Sequence, residues 1–93
     1  MALNHRELSV FLAIARSGSI NAASKAMGMT QPALSRSLKR LEDHLDASLF
    51  ARHASGMILT PFGGALRRHA ELVEFESNRV VEELKMLGGA GTG

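Results

Sequence analysis

Apolar residues recur at helical spacing in successive stretches of this 93-residue chain, and each run is bounded by residues that start or stop a helix. Leu8, Phe11, Leu12 and Ala15 form one stripe over residues 4–16, with Asn4 placed to cap its start and Gly18 to end it. Ser19 then caps a short helix over about residues 20–27. Its Ala22, Ala23, Ser24 and Ala26 are small enough for another helix to approach closely. Gly28 supplies the permissive backbone of a tight turn, and Met29 tucks beneath it. Thr30 and Pro32 open a third helix over about residues 31–45. Leu34, Leu38, Leu41 and Leu45 share its buried face. Burying them at about 1.5–3 kcal/mol each specifies the register strongly. Gln31, Ser35, Arg36 and Lys39 fall on the other side.

The pattern changes at residues 49–60, where short apolar runs flank Ala54-Ser55-Gly56, and this predicts a β-hairpin with its turn near Gly56. Two strands are not stable alone, so the hairpin must pack on the helices, which makes a winged helix. Thr60-Pro61 opens a fourth helix running to about Leu87. Phe62, Leu66, Ala70, Val73, Ser77, Val80, Leu84 and Leu87 make a heptad-like seam along it. A helix of roughly 40 Å outreaches so small a core. The economical cover is the same helix of a second subunit about a two-fold axis; packing on its own domain is the alternative. Residues 88–93 have linker composition, so a larger regulatory domain is expected to follow.

Composition refines this picture. Apolar content of 45% suffices for one core. The chain has no Cys, which removes disulfides and thiolate metal sites together. No membrane span is present, since Val10 to Ala15 is the longest apolar stretch, and the N-terminal residues lack a signal-peptide pattern. A cytoplasmic protein is expected. Net charge is +2, but residues 1–68 carry +5 and residues 69–93 carry −3, so the front is suited to a polyanion.

The candidate chemistry concentrates on residues 23–42, which read as a helix-turn-helix. The exposed face of the third helix offers hydrogen-bonding groups and positive charge with little apolar bulk, as a DNA major groove requires. Gln31 can pair with adenine; Pro32 can touch a thymine methyl or only start the helix; Ser35 can reach a phosphate or base edge. Arg36 suits guanine or phosphate, and Lys39, further along, suits phosphate. Ser19 and Asn21 can present polar groups to a phosphate at a helix start, with Thr30 and Lys25 beside them. His53 and Arg52 are the nearest wing candidates, and Arg52 can equally tie the hairpin to the helices through a carboxylate. His5, His44, His53 and His69 lack metal-ligand spacing. No nucleophile motif, acid–base set or phosphate loop suggests an enzyme, and no cofactor is expected.

From Leu8 to Leu87 the chain resembles the DNA-binding region and linker helix of LysR-type transcriptional regulators. The resemblance rests on Phe11 with Ala15 and Gly18-Ser19, then Ala23, Thr30-Gln31-Pro32-Ala33-Leu34-Ser35-Arg36, Leu41-Glu42, Leu49-Phe50 with Arg52, and Leu59-Thr60-Pro61 with Gly63. It implies a mainly α fold: a winged helix-turn-helix of three helices and a hairpin over residues 1–60, a dimerisation helix over 61–87 and a hinge over 88–93. It also implies double-stranded DNA as partner, bound by a homodimer at an interrupted palindrome, and a tetramer in the intact protein. A small-molecule effector would act only through a C-terminal domain beyond this chain. Ser24 stands where the family usually has a second Ala, and Asp46 where it has Gly. Ala54-Ser55-Gly56 lacks the cation often found at the wing tip. Two other readings of the residues are a helical dimerisation module with an incidental basic face and a winged helix of another regulator family.

Overall fold

The computed structural model describes residues 3–92, in the order α1 (His5–Ser17), α2 (Ile20–Met27), α3 (Gln31–Leu45), β1 (Phe50–His53), β2 (Gly56–Leu59) and α4 (Pro61–Thr92). The helix starts are set by the residues the sequence marks. Asn4 and Glu7 form a reciprocal capping box, the Ser19 side chain accepts from the Ala22 N–H, and Thr30 accepts from the Ala33 N–H. Gly18, Gly28 and Asp46 end α1, α2 and α3 in the left-handed conformation.

Asp46 is the one non-glycine residue with positive φ among those described, at 52°. This conformation costs a residue with a Cβ about 1 kcal/mol. Asp46→Gly is therefore expected to raise the thermal midpoint by a few degrees, at roughly 4–8 °C per kcal/mol for a domain of this size. An unchanged or lowered midpoint by circular dichroism would show that the Asp46 side chain offsets the strain.

The core forms where α1 is crossed by the other helices. Val10, Phe11, Ile14, Leu34, Leu41 and Leu49 are its large, fully buried side chains. Val10 and Ile14 lie outside the expected α1 stripe. They are buried because α1 is central and packs against α2, α3 and α4, so more than one face is covered. Leu34, Leu38 and Leu41 are buried as expected, and Leu45 packs partly against them.

The hairpin is antiparallel, with Phe50 opposite Leu59 and His53 opposite Gly56. Phe50 pins its base to the core, its ring 5.4 Å from that of Phe11. At its tip the Met57 N–H donates to the Gly18 carbonyl at 3.0 Å, tying the wing to the α1–α2 turn. Gly56, at φ 126°, lies so close to Gly18 that a Cβ there would meet the same carbonyl.

The junction into α4 is closed by polar contacts. The Leu49 N–H donates to the Glu42 carboxylate at 2.7 Å, and the Leu49 carbonyl accepts from the Thr60 N–H. The Thr60 hydroxyl donates to the Ser48 carbonyl and accepts from the Gly63 N–H, so Thr60 caps α4. Gly63 is buried against Leu49.

Two features of α4 differ from the sequence expectation. The helix continues past Leu87 to Thr92, so residues 88–92 are helical rather than an irregular hinge; Gly93 lies outside the described residues. Nucleation is the costly step, and each glycine only weakens propagation from an established helix, by about 1 kcal/mol. Second, the near half of the seam serves the chain's own core. Ala70 is 1% exposed, and Leu66 and Val73 pack against the same cluster. These three residues pack on their own domain, the alternative cover for this stretch of the seam.

Arg16 of α1 grips Glu74 of α4 through two hydrogen bonds, of 2.8 and 3.4 Å, beside the last core contact of that helix. The Arg16 hydrogen bond and charge hold the Glu74 carboxyl below its ordinary value. A depressed carboxylate contributes stability above its unfolded-state pKa, near 4.5, and loses it as pH falls through the lower folded value. Both groups are over two-fifths exposed, so solvent keeps the effect small. Glu74→Gln is accordingly expected to flatten the acid limb of a stability-versus-pH curve below about pH 4.5 while leaving its shape near neutrality unchanged. Parallel acid limbs in urea titrations would refute this account.

Candidate nucleic-acid interface

The polar face of α3 stands clear of the fold. Gln31, Pro32, Ser35 and Arg36 are all exposed, while Leu34 and Leu38 on the opposite face are buried. The surface is therefore a consequence of the leucine register, with every polar residue set by an anchored neighbour.

The Gln31 Nε2 donates to the Asn21 Oδ1 at 2.8 Å, joining the starts of α2 and α3. This bond orients the Gln31 amide and leaves its oxygen and second N–H free, the pair needed for bidentate contact with adenine. Ser19 and Thr30 both cap helices, and Asn21 and Lys25 are exposed on α2. Of these, Asn21 and Thr30 stand at the start of α3, Asn21 through its bond to Gln31.

Ion pairing sorts the cations. Arg16, Lys39, Arg67, Arg79 and Lys85 each pair with a carboxylate. Among the described residues, Arg6, Lys25, Arg36, Arg40, Arg52 and Arg68 have no acidic partner. Five of these six precede α4, so the uncompensated charge gathers on the winged helix. Lys39 is exposed and pairs within α3: its ammonium is 2.9 Å from Asp43, whose hydrogen bond and charge raise the lysine pKa.

Arg52 does not tie the hairpin to a carboxylate. Glu42 is engaged with the Leu49 N–H instead, and Arg52 lines a cleft of about 210 Å³ with Ser35, Lys39 and Glu42. The structure thus places Arg52 beside the α3 surface. His53 is exposed at the end of β1, next to the wing turn.

Sequence reasoning missed a second cleft. The start of α1 and the flank of α3 enclose about 770 Å³ lined by His5, Arg6, Glu7, Arg36, Arg40 and His44, among others. Arg40 follows Arg36 by one helical turn, a signal present in the sequence. Its pairing with Arg6 depends on how α1 crosses α3, which spacing alone does not give.

The far half of α4 is bare. Val80, Val81, Leu84, Met86 and Leu87 are 42–73% exposed, and Phe62, Leu72 and Phe75 are exposed too. Val80, Leu84 and Leu87 belong to the expected seam, as does the exposed Ser77; Leu72, Phe75, Val81 and Met86 do not. No described helix is long and apolar enough to cross a membrane, and no described cluster of His or acidic residues could hold a metal ion.

Residues 5–64 match the family profile described as "Bacterial regulatory helix-turn-helix protein, lysR family". The chain is 38% identical over 79 residues to the HTH-type transcriptional regulator TdcA of Escherichia coli K12, covering 85% of this chain and 25% of the relative. It is 34% identical over 91 residues to the small neutral protease regulatory protein of Streptomyces coelicolor, covering 98% of this chain and 28% of the relative. The chain thus spans about a quarter of the length of these relatives. A solved complex of the BenM DNA-binding domain with benA site 1 DNA superposes with a TM-score of 0.86 at 26% identity, over 92% of this chain and 97% of that one. A CbnR DNA-binding domain–DNA complex superposes with a TM-score of 0.81 at 28% identity, over 92% and 99%.

Proposed function

The chain belongs to the LysR family of bacterial regulatory helix-turn-helix proteins, and we propose that it is a sequence-specific DNA-binding domain that works as a homodimer. The observation that carries this reading is the exposed, polar, cationic start of α3, held in register by a buried leucine face. On this reading α3 enters the major groove, Gln31, Pro32, Ser35 and Arg36 discriminate bases, and Ser19, Asn21, Thr30, Lys25 and Lys39 position the backbone. Arg52 and His53 serve the wing. Two α4 helices pair across a two-fold axis through Phe62, Ser77, Val80, Leu84 and Leu87, joined by Leu72, Phe75, Val81 and Met86. Residues 1–60 read DNA and residues from 61 onward dimerise, with residues 88–93 leading on in a longer protein.

The chain acts by binding rather than catalysis, in the cytoplasm. In any longer protein that carries this segment, a tetramer and a small-molecule effector domain belong to the same proposal. DNA complexes of the BenM and CbnR domains, which share this fold, support DNA as the partner.

The test is fluorescence anisotropy with a duplex carrying an interrupted T–A palindrome and one with scrambled half-sites. Tighter binding to the palindrome supports the reading; equal affinity for both counts against it. Arg36→Ala is expected to cost about 1–3 kcal/mol of specific binding and little of non-specific binding. Equal specific affinity in variant and parent would remove Arg36 from the reading surface.

A further inference from the structure

We infer that Arg6 and Arg40 form a second grip on the DNA backbone, a cationic ledge that holds phosphates flanking the base-reading residues. The inference rests on the DNA-binding reading above and adds residues that reading does not use.

Three of the six uncompensated cations line a single cleft. Arg6 comes from α1, and Arg36 and Arg40 come from α3, with His5 and His44 on the rim. The one carboxylate among the lining residues is Glu7, and it is engaged. Its oxygens accept from the Asn4 N–H at 3.2 Å and lie 3.7 Å from the His44 ring. The arginines therefore face solvent without an internal counter-ion. Surface cations elsewhere in the chain, on α4 especially, mostly pair with an acid three or four residues away. Arg40 has Arg36 and His44 four residues away on either side, and the acid three residues on, Asp43, pairs with Lys39 instead.

The position suits a phosphate backbone. Arg40 lies nine residues beyond Gln31, about 13.5 Å along the helix at 1.5 Å per residue. The major groove is about 12 Å wide, so a side chain that far from the inserted helix end stands at the groove's edge, where phosphates run. Arg6 continues the ledge outward on a separate element. The concave cleft lets both guanidiniums approach one strand, whereas a flat surface would present them to solvent in different directions.

The experiment uses the whole chain with the palindromic and scrambled duplexes across a salt series. Arg6→Ala, Arg40→Ala and the double variant are compared with the parent. Each single substitution is expected to weaken binding to both duplexes by the same factor, roughly three- to tenfold at low salt. Because a dimer carries each residue twice, it should also lower the slope of log affinity against log salt by about 2, and the double variant by about 4. Arg40→Lys should keep the parent slope, because a phosphate contact accepts a point charge.

An unchanged slope in the double variant, with salt-sensitive binding in the parent, overturns the ledge and leaves the DNA reading standing. A loss confined to the palindrome overturns it too, by making these residues base readers. A parent that binds neither duplex overturns the DNA reading and the ledge with it. Far-ultraviolet circular dichroism confirms that the exposed substitutions leave the fold intact.

Discussion

Gly63→Ala is expected to lower the thermal midpoint by roughly 10 °C, while Gly64→Ala, one residue on, should raise it by a few degrees. Both changes replace glycine by the best helix former within the same helix, a gain of about 0.5–1 kcal/mol in the absence of other contacts. They differ in what the new methyl meets. At Gly64 the nearest neighbour is the Arg68 guanidinium at 4.0 Å, the movable end of a long side chain. At Gly63 the methyl would overlap the Leu49 carbonyl oxygen, and the Leu59 side chain would stand at 2.8 Å. That carbonyl cannot turn away freely, because it accepts from the Thr60 N–H and Leu49 is 1% exposed. Relief requires α4 to shift off the hairpin, at about 3 kcal/mol or somewhat more. The net loss is about 2 kcal/mol, at roughly 4–8 °C per kcal/mol. Paired thermal melts decide the matter: a fall in both variants, or in neither, would show that the close approach of α4 to Leu49 does not set the packing.

Leu84→Glu should leave the melt almost unchanged and abolish self-association. Leu84 is 60% exposed and stands clear of the core, so its loss removes no packing within the chain. On the dimer reading it lies in the seam, and each dimer would bring two carboxylates onto an apolar surface. Separated protomers lose the linkage that makes the second half-site contact intramolecular, an advantage of about 10²–10⁴ in such systems. Palindrome binding is therefore expected to weaken by about 100-fold or more, with a fall in sedimentation coefficient. A variant that sediments and binds like the parent would exclude α4 beyond Glu74 as the dimer seam.

Local physics made much of the fold legible. The bounds of α2 and α3 follow from Ser19, Gly28, Thr30 and Asp46, because capping residues act within one turn. The left-handed Asp46 was foreseeable from the resemblance, because it stands where the family has Gly. The face of α3 was legible because its leucines repeat at helical spacing. What spacing could not give was the identity of the covering surface. Leu66, Ala70 and Val73 continue the same seam as Val80, Leu84 and Leu87, yet the first group faces α1 and its neighbours while the second faces none of them. A period reports that a stripe is buried, and says nothing of whose atoms bury it. The cleft between Arg6 and Arg40 was hidden likewise, since residues 34 positions apart meet only through the crossing of two helices. The Lys39–Asp43 pair was legible in the sequence, since Asp43 follows Lys39 by four residues.

The bond between Arg16 and Glu74 lies where α4 leaves the body of the protein, and this gives it mechanical leverage. From Glu74 to Gly89 the helix extends about 22 Å at 1.5 Å per residue. A tilt of roughly ten degrees about that fulcrum sweeps the far end through about 4 Å, slightly more than the 3.4 Å of duplex axis per phosphate of one strand. A small angular change at one surface ion pair is geared up to the length of a base-pair step. In a dimer built on α4, the spacing between two reading heads is then a property of that joint as much as of the surfaces that touch DNA.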